Sequence, residues 1–204
     1  MTTRFIIARH GNTFNKGETP TRVGARTDLP LVQSGLEQGQ RLGKYLREHN
    51  LWPDAVYAAP LKRTMQTASA AGFDNVKPLE AFREIDYGPD ENKTEEAVIA
   101  RIGADAIEAW NKDATVPNGW QVDVPGIIKT WVDFADSLKG SNKTTLVVSS
   151  NGIIRFAPYI TGDFASFAAT HDIKVGTGCL CVFEEQDGRF VCTAWNVKPP
   201  KEEA

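Results

Sequence analysis

The chain has no apolar run long enough to cross a bilayer, no excess of basic charge, and only three cysteines in 204 residues. The first absence argues against a membrane-spanning helix. The second, a formal net charge of −3, leaves no broad positive field for nucleic acid, so any positive potential must be local. The cysteines, Cys179, Cys181 and Cys192, are odd in number, and the apolar residues 5–8 are too short for the core of a signal peptide. Together these features point to reduced thiols in the cytoplasm. Cys179 and Cys181 share a strand face with no second ligand pair nearby, so they read as packing groups rather than a metal site. Internal repeats and low-complexity segments are also missing. What remains, 41% hydrophobic and 24% charged, is the composition of one soluble domain over residues 1–204. Oligomeric state is left open, a homo-oligomer included.

Residues 5–8 form a short buried-strand pattern that stops at Arg9-His10-Gly11. Gly11 permits a tight turn, Arg9 sets a fixed cation beside an imidazole, and Thr13 and Asn15 add polar groups able to bind an anion or orient the ring. Strand ends of this kind are where open α/β sheets place ligands. An isolated Arg-His pair is ordinarily a solvated turn; its significance depends on what accompanies it. A polar loop over 16–29 carries Arg22 and Arg26, either able to grip a distal part of an anionic substrate or simply to be solvated. Ser34 is positioned to cap a helix over 36–49, with His49 in its last turn. A strand over 54–58 leads into a helix over 61–71 with Arg63 in its first turn, an anion-binding arrangement. Because a cation is disfavoured at a helix start, a negative group should compensate it.

A third strand over 76–79 is followed by Glu84 and Asp86, either of which suits a general acid if its pKa is raised. Thr94 caps a helix over 94–111. The stretch 89–124 reads as an excursion from the sheet, forming a lid or substrate wall. A helix over 126–138 precedes a strong strand over 144–148. That strand runs into Ser149-Ser150-Asn151-Gly152 and a helix over 153–159, a second turn with free N–H groups for an anion. Two strands, 179–184 and 189–195, form a hairpin, and 199–204 is a charged tail.

Four motifs in order resemble those of the histidine phosphatase superfamily, the fold shared with phosphoglycerate mutases. Arg9-His10-Gly11-Asn12-Thr13-Phe14-Asn15 matches the family's RHGxTxxN. The segment 27–31 with Gly35 is similar to its D-x-P-L-T-x-x-G, and 60–68 to its S-P-L-x-R-x-x-x-T-A. Residues 83–88 resemble its R-E-x-x-x-G. The resemblance implies a three-layer α/β/α sandwich with a mostly parallel central sheet. It also implies a phosphomonoester hydrolase in which His10 becomes a phosphohistidine, Arg9 and Arg63 bind the phosphoryl group, and Glu84 protonates the leaving alcohol. Neither a metal nor a cofactor is needed if arginines supply the positive charge. The implied partner is a small phosphorylated substrate, with no nucleic acid and no membrane.

One motif departs. Where the family has V-S-H-G-G, this chain has Val148-Ser149-Ser150-Asn151-Gly152. Ser150 and Asn151 can donate hydrogen bonds to phosphate but carry no charge, and charge-assisted bonds are about twice as strong. Turnover reduced by about 10²–10³-fold follows by analogy with a lost oxyanion donor. His171 is the remaining histidine that could reach the pocket rim in its place. Two alternatives stand beside the hydrolase: a phospho-ligand-binding protein with little turnover, and a mutase-type phosphotransferase.

Overall fold

The computed structural model describes residues 2–201. Six strands, β1 (Arg4–Arg9), β2 (Ala55–Ala58), β3 (Val76–Pro78), β4 (Thr144–Ser149), β5 (Leu180–Gln186) and β6 (Arg189–Val197), make one sheet in the order β3-β2-β4-β1-β5-β6. The four strands from β3 to β1 are parallel, and β5 and β6 complete the sheet antiparallel. The sheet is therefore mixed and mostly parallel, as expected.

Side chains of β1 alternate between two cores, because successive residues of a strand point to opposite faces. Phe5 and Ile7 pack with Trp131 and Ala135, whereas Ile6 and Ala8 pack with Leu42, Leu46 and Ala68. All four β1 residues are fully buried, each large side chain contributing about 1.5–3 kcal/mol. Helices α1 (Gln33–Glu48) and α2 (Lys62–Ala70) supply the second core, and α5 (Val124–Leu138) covers the first. Between them in sequence lie α3 (Glu95–Ile102) and α4 (Ala104–Asp113). The short α6 (Asn151–Ile154) and α7 (Phe164–Thr170) follow β4.

Several expected boundaries are corrected. Ser34 does not cap α1: the N-cap is Val32, without a side-chain bond, and the Ser34 hydroxyl accepts from Asn12 Nδ2 instead. Thr94 does cap α3, accepting from the Ala97 N–H, but the helix stops at Gly103, whose φ of +86° suits glycine and starts α4 on a new axis. The helix expected over 153–159 is α6 followed by a 3-10 segment, Ala157–Thr161. Helix α7 has no counterpart among the expected elements, although Asp163 caps it and Phe164, Phe167 and Ala168 recur at the helical i, i+3, i+4 spacing. Of the expected tail, residues 202–204 lie outside the described residues.

Gly39 and Gly43 let α1 approach α2 closely. A Cβ on Gly43 would lie 2.0 Å from the Ala71 carbonyl oxygen, which is backbone and cannot swing aside. Alanine is the better helix former by about 0.8–1.0 kcal/mol, yet overpacking costs about 1–3 kcal/mol. Gly43→Ala is therefore expected to lower the urea midpoint of unfolding; a midpoint equal to wild type or higher would contradict this packing.

Candidate active site

Strands β1 and β4 end side by side, with Arg9 opposite Ser149, and the His10 N–H continues the ladder by donating to the Ser149 carbonyl at 3.1 Å. The chain then turns through Gly11, whose N–H donates to Thr67 Oγ1 at 2.9 Å. Thr67 in turn donates to the Arg63 carbonyl at 2.7 Å, so the histidine turn is pinned to α2. The turn is also packed tightly against the start of α1. A Cβ on Gly35 would sit 2.2 Å from the Asn12 carbonyl oxygen, and one on Gly11 2.4 Å from that of Gly35.

A cavity of about 870 Å³ opens at these strand ends. Arg9, His10, Asn15, Arg22, Glu84 and Asn151 line it, as do Thr13, Tyr87 and Arg155. His10 is 5% exposed, and its Nδ1 lies 2.7 Å from the Gly11 carbonyl oxygen. A carbonyl only accepts, so Nδ1 carries the hydrogen and the lone pair falls on Nε2. Burial, followed by the charges of Arg63 and Arg9, holds the His10 pKa well below the ordinary imidazole value. The ring is neutral over the physiological range.

Glu84 is 6% exposed and accepts from the Ile85 N–H at 2.9 Å and the Gly152 N–H at 3.2 Å. Burial raises its pKa, against the opposing charge of Arg63, those two N–H groups and Arg9. The structure thereby separates Glu84 from Asp86. Asp86 is gripped by Arg26 through bonds of 2.7 and 3.0 Å, an ion pair that lowers its pKa, and it does not line the cavity. Arg26 is committed to the same pair and does not line the cavity either.

The two anion-binding turns expected from the sequence are already filled by the protein's own carboxylates. At α2 the Lys62 N–H donates to Asp28 Oδ1 at 2.7 Å, which sets a negative group at that helix start, while the charge felt most by Arg63 is that of Glu84. At α6 the Gly152 N–H is spent on Glu84, and the Asn151 side chain accepts from the Val175 N–H at 2.8 Å. Arg63 is fully buried. It donates to the carbonyls of Thr27, Val23 and Gly24, so it shapes the 23–27 loop, and only its Nε has no partner. It does not line the cavity, nor does Ser150, which is fully buried with an unpartnered Oγ. Arg9 donates to the Val175 carbonyl at 2.6 Å and keeps an unpartnered Nε.

Arg22 pairs with Glu95 at 2.5 Å and lies over the rings of Trp120 and Tyr87 at 5.3 and 5.7 Å. Asn15 binds Glu18 through both its backbone and its side chain. His171 stacks on Phe167 and lines a different cleft, so it does not reach this cavity. From the excursion, Thr94, Glu95, Glu96 and Asn111 line the cavity. Its base is tied together by Asp90, which accepts from Arg101 and, at 2.7 Å, from Trp120 Nε1. Sequence reasoning missed Tyr87 and Arg155. Arg155 lies four residues after Asn151 and so on the same side of that helical turn, which is the signal that was available.

A family model described as Histidine phosphatase superfamily (branch 1) matches residues 5–198. The 2,3-bisphosphoglycerate-dependent phosphoglycerate mutase of Arthrobacter sp. (strain FB24) is 28% identical over 123 residues, 57% of this chain and 49% of that protein. The chain thus spans about half the length of the curated relatives it matches. Among solved structures, the phosphoserine phosphatase of Entamoeba histolytica in complex with 3-phosphoglyceric acid is similar with a TM-score of 0.75 at 21% identity, covering 95% of this chain and 96% of that one. A mycobacterial glucosyl-3-phosphoglycerate phosphatase gives a TM-score of 0.76 at 20% identity, with 96% and 99% covered. At these identities the likeness is one of fold.

Proposed function

We propose that this chain, which belongs to branch 1 of the histidine phosphatase superfamily, hydrolyses phosphate monoesters through a phosphohistidine at His10. One observation carries the reading: a buried, neutral imidazole whose Nδ1–H is anchored on a carbonyl, with two guanidinium groups close enough to depress its pKa. A nucleophilic histidine needs that protonation state, and a phosphoryl group needs that charge. Nε2 attacks phosphorus, the N–P bond forming as the ester P–O bond breaks. The departing alkoxide takes the Glu84 proton. Water then attacks the phosphohistidine in line, returns a proton to Glu84, and releases inorganic phosphate with a free imidazole. Arg9, which lines the cavity, binds the phosphoryl oxygens. Arg63 acts from beneath the cavity wall, where low dielectric strengthens its field.

Asn15 and Asn151 complete the polar lining, and the segment 89–124 serves as the substrate wall. The ligand is a small phosphorylated molecule, the kind bound by the Entamoeba phosphatase in its complexes with 3-phosphoglyceric acid and phosphoserine. The three free thiols fit a reducing compartment. Among the described residues, no helix is long and apolar enough to cross a membrane. The second reading is a phospho-ligand-binding protein with slow turnover, favoured by the uncharged pair Ser150 and Asn151 where β4 ends. The discriminating experiment is a rapid acid-free quench with a radiolabelled phosphate ester. The hydrolase reading expects an alkali-stable, acid-labile label on His10 and release of inorganic phosphate. Thermal stabilisation by phosphate without label or release supports the binding protein instead.

A further inference from the structure

We propose that Glu91 is a positioning residue for this site: through the loop 23–27 it holds the Arg63 guanidinium beneath the cavity, and with it the charge set against His10. This deepens the reading of the cavity as a phosphate-ester site and rests on it.

Glu91 does not line the cavity, yet its half-buried carboxylate takes four donors. Oε1 accepts from the Gly24 N–H at 3.1 Å, the Arg26 N–H at 3.0 Å and the Thr27 hydroxyl at 2.8 Å, and Oε2 from the Tyr87 N–H at 3.1 Å. Three of these donors come from the loop whose carbonyls receive Arg63. The Val23 carbonyl, 3.2 Å from Arg63 Nη2, belongs to the same peptide group as the Gly24 N–H, so one peptide is clamped between carboxylate and guanidinium. Thr27 is held likewise, its hydroxyl on Glu91 and its carbonyl 2.9 Å from Arg63 Nη1. The third carbonyl, that of Gly24, is backed by Ile85 instead, through the Ala25 N–H at 2.9 Å. The seat is close-fitting: a Cβ on Gly24 would come within 2.3 Å of Glu91 Oε2 and 2.7 Å of the Ile85 carbonyl oxygen.

Arg63 has need of such a frame. It is fully buried, and no carboxylate among the described residues forms an ion pair with it. Its immediate partners are neutral carbonyls, and a peptide polarised by an anion on its N–H side is a stronger acceptor. Burial disfavours its charge, and Glu84, Tyr87, Asp28 and Glu91 act against that. Its backbone is already fixed relative to His10, because the Gly11 N–H binds Thr67 and Thr67 binds the Arg63 carbonyl. What Glu91 governs is where the side chain points.

The test compares the protein with Glu91→Ala and Thr27→Val, by calorimetry with inorganic phosphate and by nuclear magnetic resonance titration of the imidazoles. Glu91→Ala is expected to weaken phosphate binding about tenfold or more, the range of hydrogen bonds to a charged group. The His10 titration should move upward, toward the ordinary imidazole value, as the Arg63 cation leaves it. Arg9, the other cation acting on the ring, keeps the Val175 carbonyl, and Glu84 keeps its two backbone donors. His49 and His171 should titrate as before, which a general loosening of the fold would not allow. Thr27→Val deletes one bond and keeps the carboxylate, so a change of the same sign, about threefold, separates positioning from charge alone. It also decides should Glu91→Ala fail to fold. In an Arg63→Lys background Glu91→Ala should add less than about twofold, because both act through one loop. Unchanged phosphate affinity with an unmoved His10 would overturn the proposal, as would fully additive losses in that background. Both readouts are free of turnover, so failure of the phosphohistidine label would count against hydrolysis and leave them standing. A wild-type protein that binds no phosphate would count against the phosphate-ester reading, and the His10 titration would then decide alone.

Discussion

His10→Ala is expected to lower turnover of a phosphate ester by about 10⁴-fold or more, since losing the nucleophile of a covalent mechanism removes the whole first step. No other imidazole is placed to replace it. His49 stacks on Tyr45 at the end of α1, and His171 belongs to another cleft. The fold should persist, because what holds the turn is backbone: the His10 N–H on Ser149, the Gly11 N–H on Thr67, and the Gly35 contact. Phosphate binding should therefore survive in the variant, through Arg9 at the cavity wall and the field of Arg63 behind it. Steady-state rates, with circular dichroism as the control for folding, check both halves. Residual turnover within tenfold of wild type would remove His10 from the mechanism.

Glu84→Gln should slow hydrolysis of alkyl phosphates by about 10²–10⁴-fold, the usual contribution of a general acid. The loss should be far smaller for p-nitrophenyl phosphate, whose leaving group departs without a proton. The pH dependence has a definite sign. Glu84 must be protonated to act, and burial raises its pKa, so the wild-type alkaline limb lies above the ordinary carboxyl range near about 4.3. His10 must be neutral, and its pKa is depressed, so the acid limb lies below the ordinary imidazole range. Activity thus extends into acid and declines as pH rises through the Glu84 pKa. In Glu84→Gln that alkaline limb should vanish from the profile of kcat/KM. A limb that persists unchanged in the variant would assign it to another group.

Much of the molecule is written in short-range pattern. The apolar runs of β1 and β4 and the Thr94 cap each state their role within a few residues, because strand burial and capping are local physics. Glu84 and Asp86 were indistinguishable at that range. Only the fold, by giving Asp86 to Arg26 and enclosing Glu84 against the Gly152 N–H, pushes the pKa of one carboxyl down and of the other up, and so leaves Glu84 as the carboxyl suited to the proposed proton transfer. The same holds for the helix starts at α2 and α6, open to an anion on paper and filled by Asp28 and Glu84 in space. Arg63 and Arg155 likewise look alike as letters. One is spent on three loop carbonyls behind the cavity, and the other lines it, because burial and partnership depend on segments dozens of residues away.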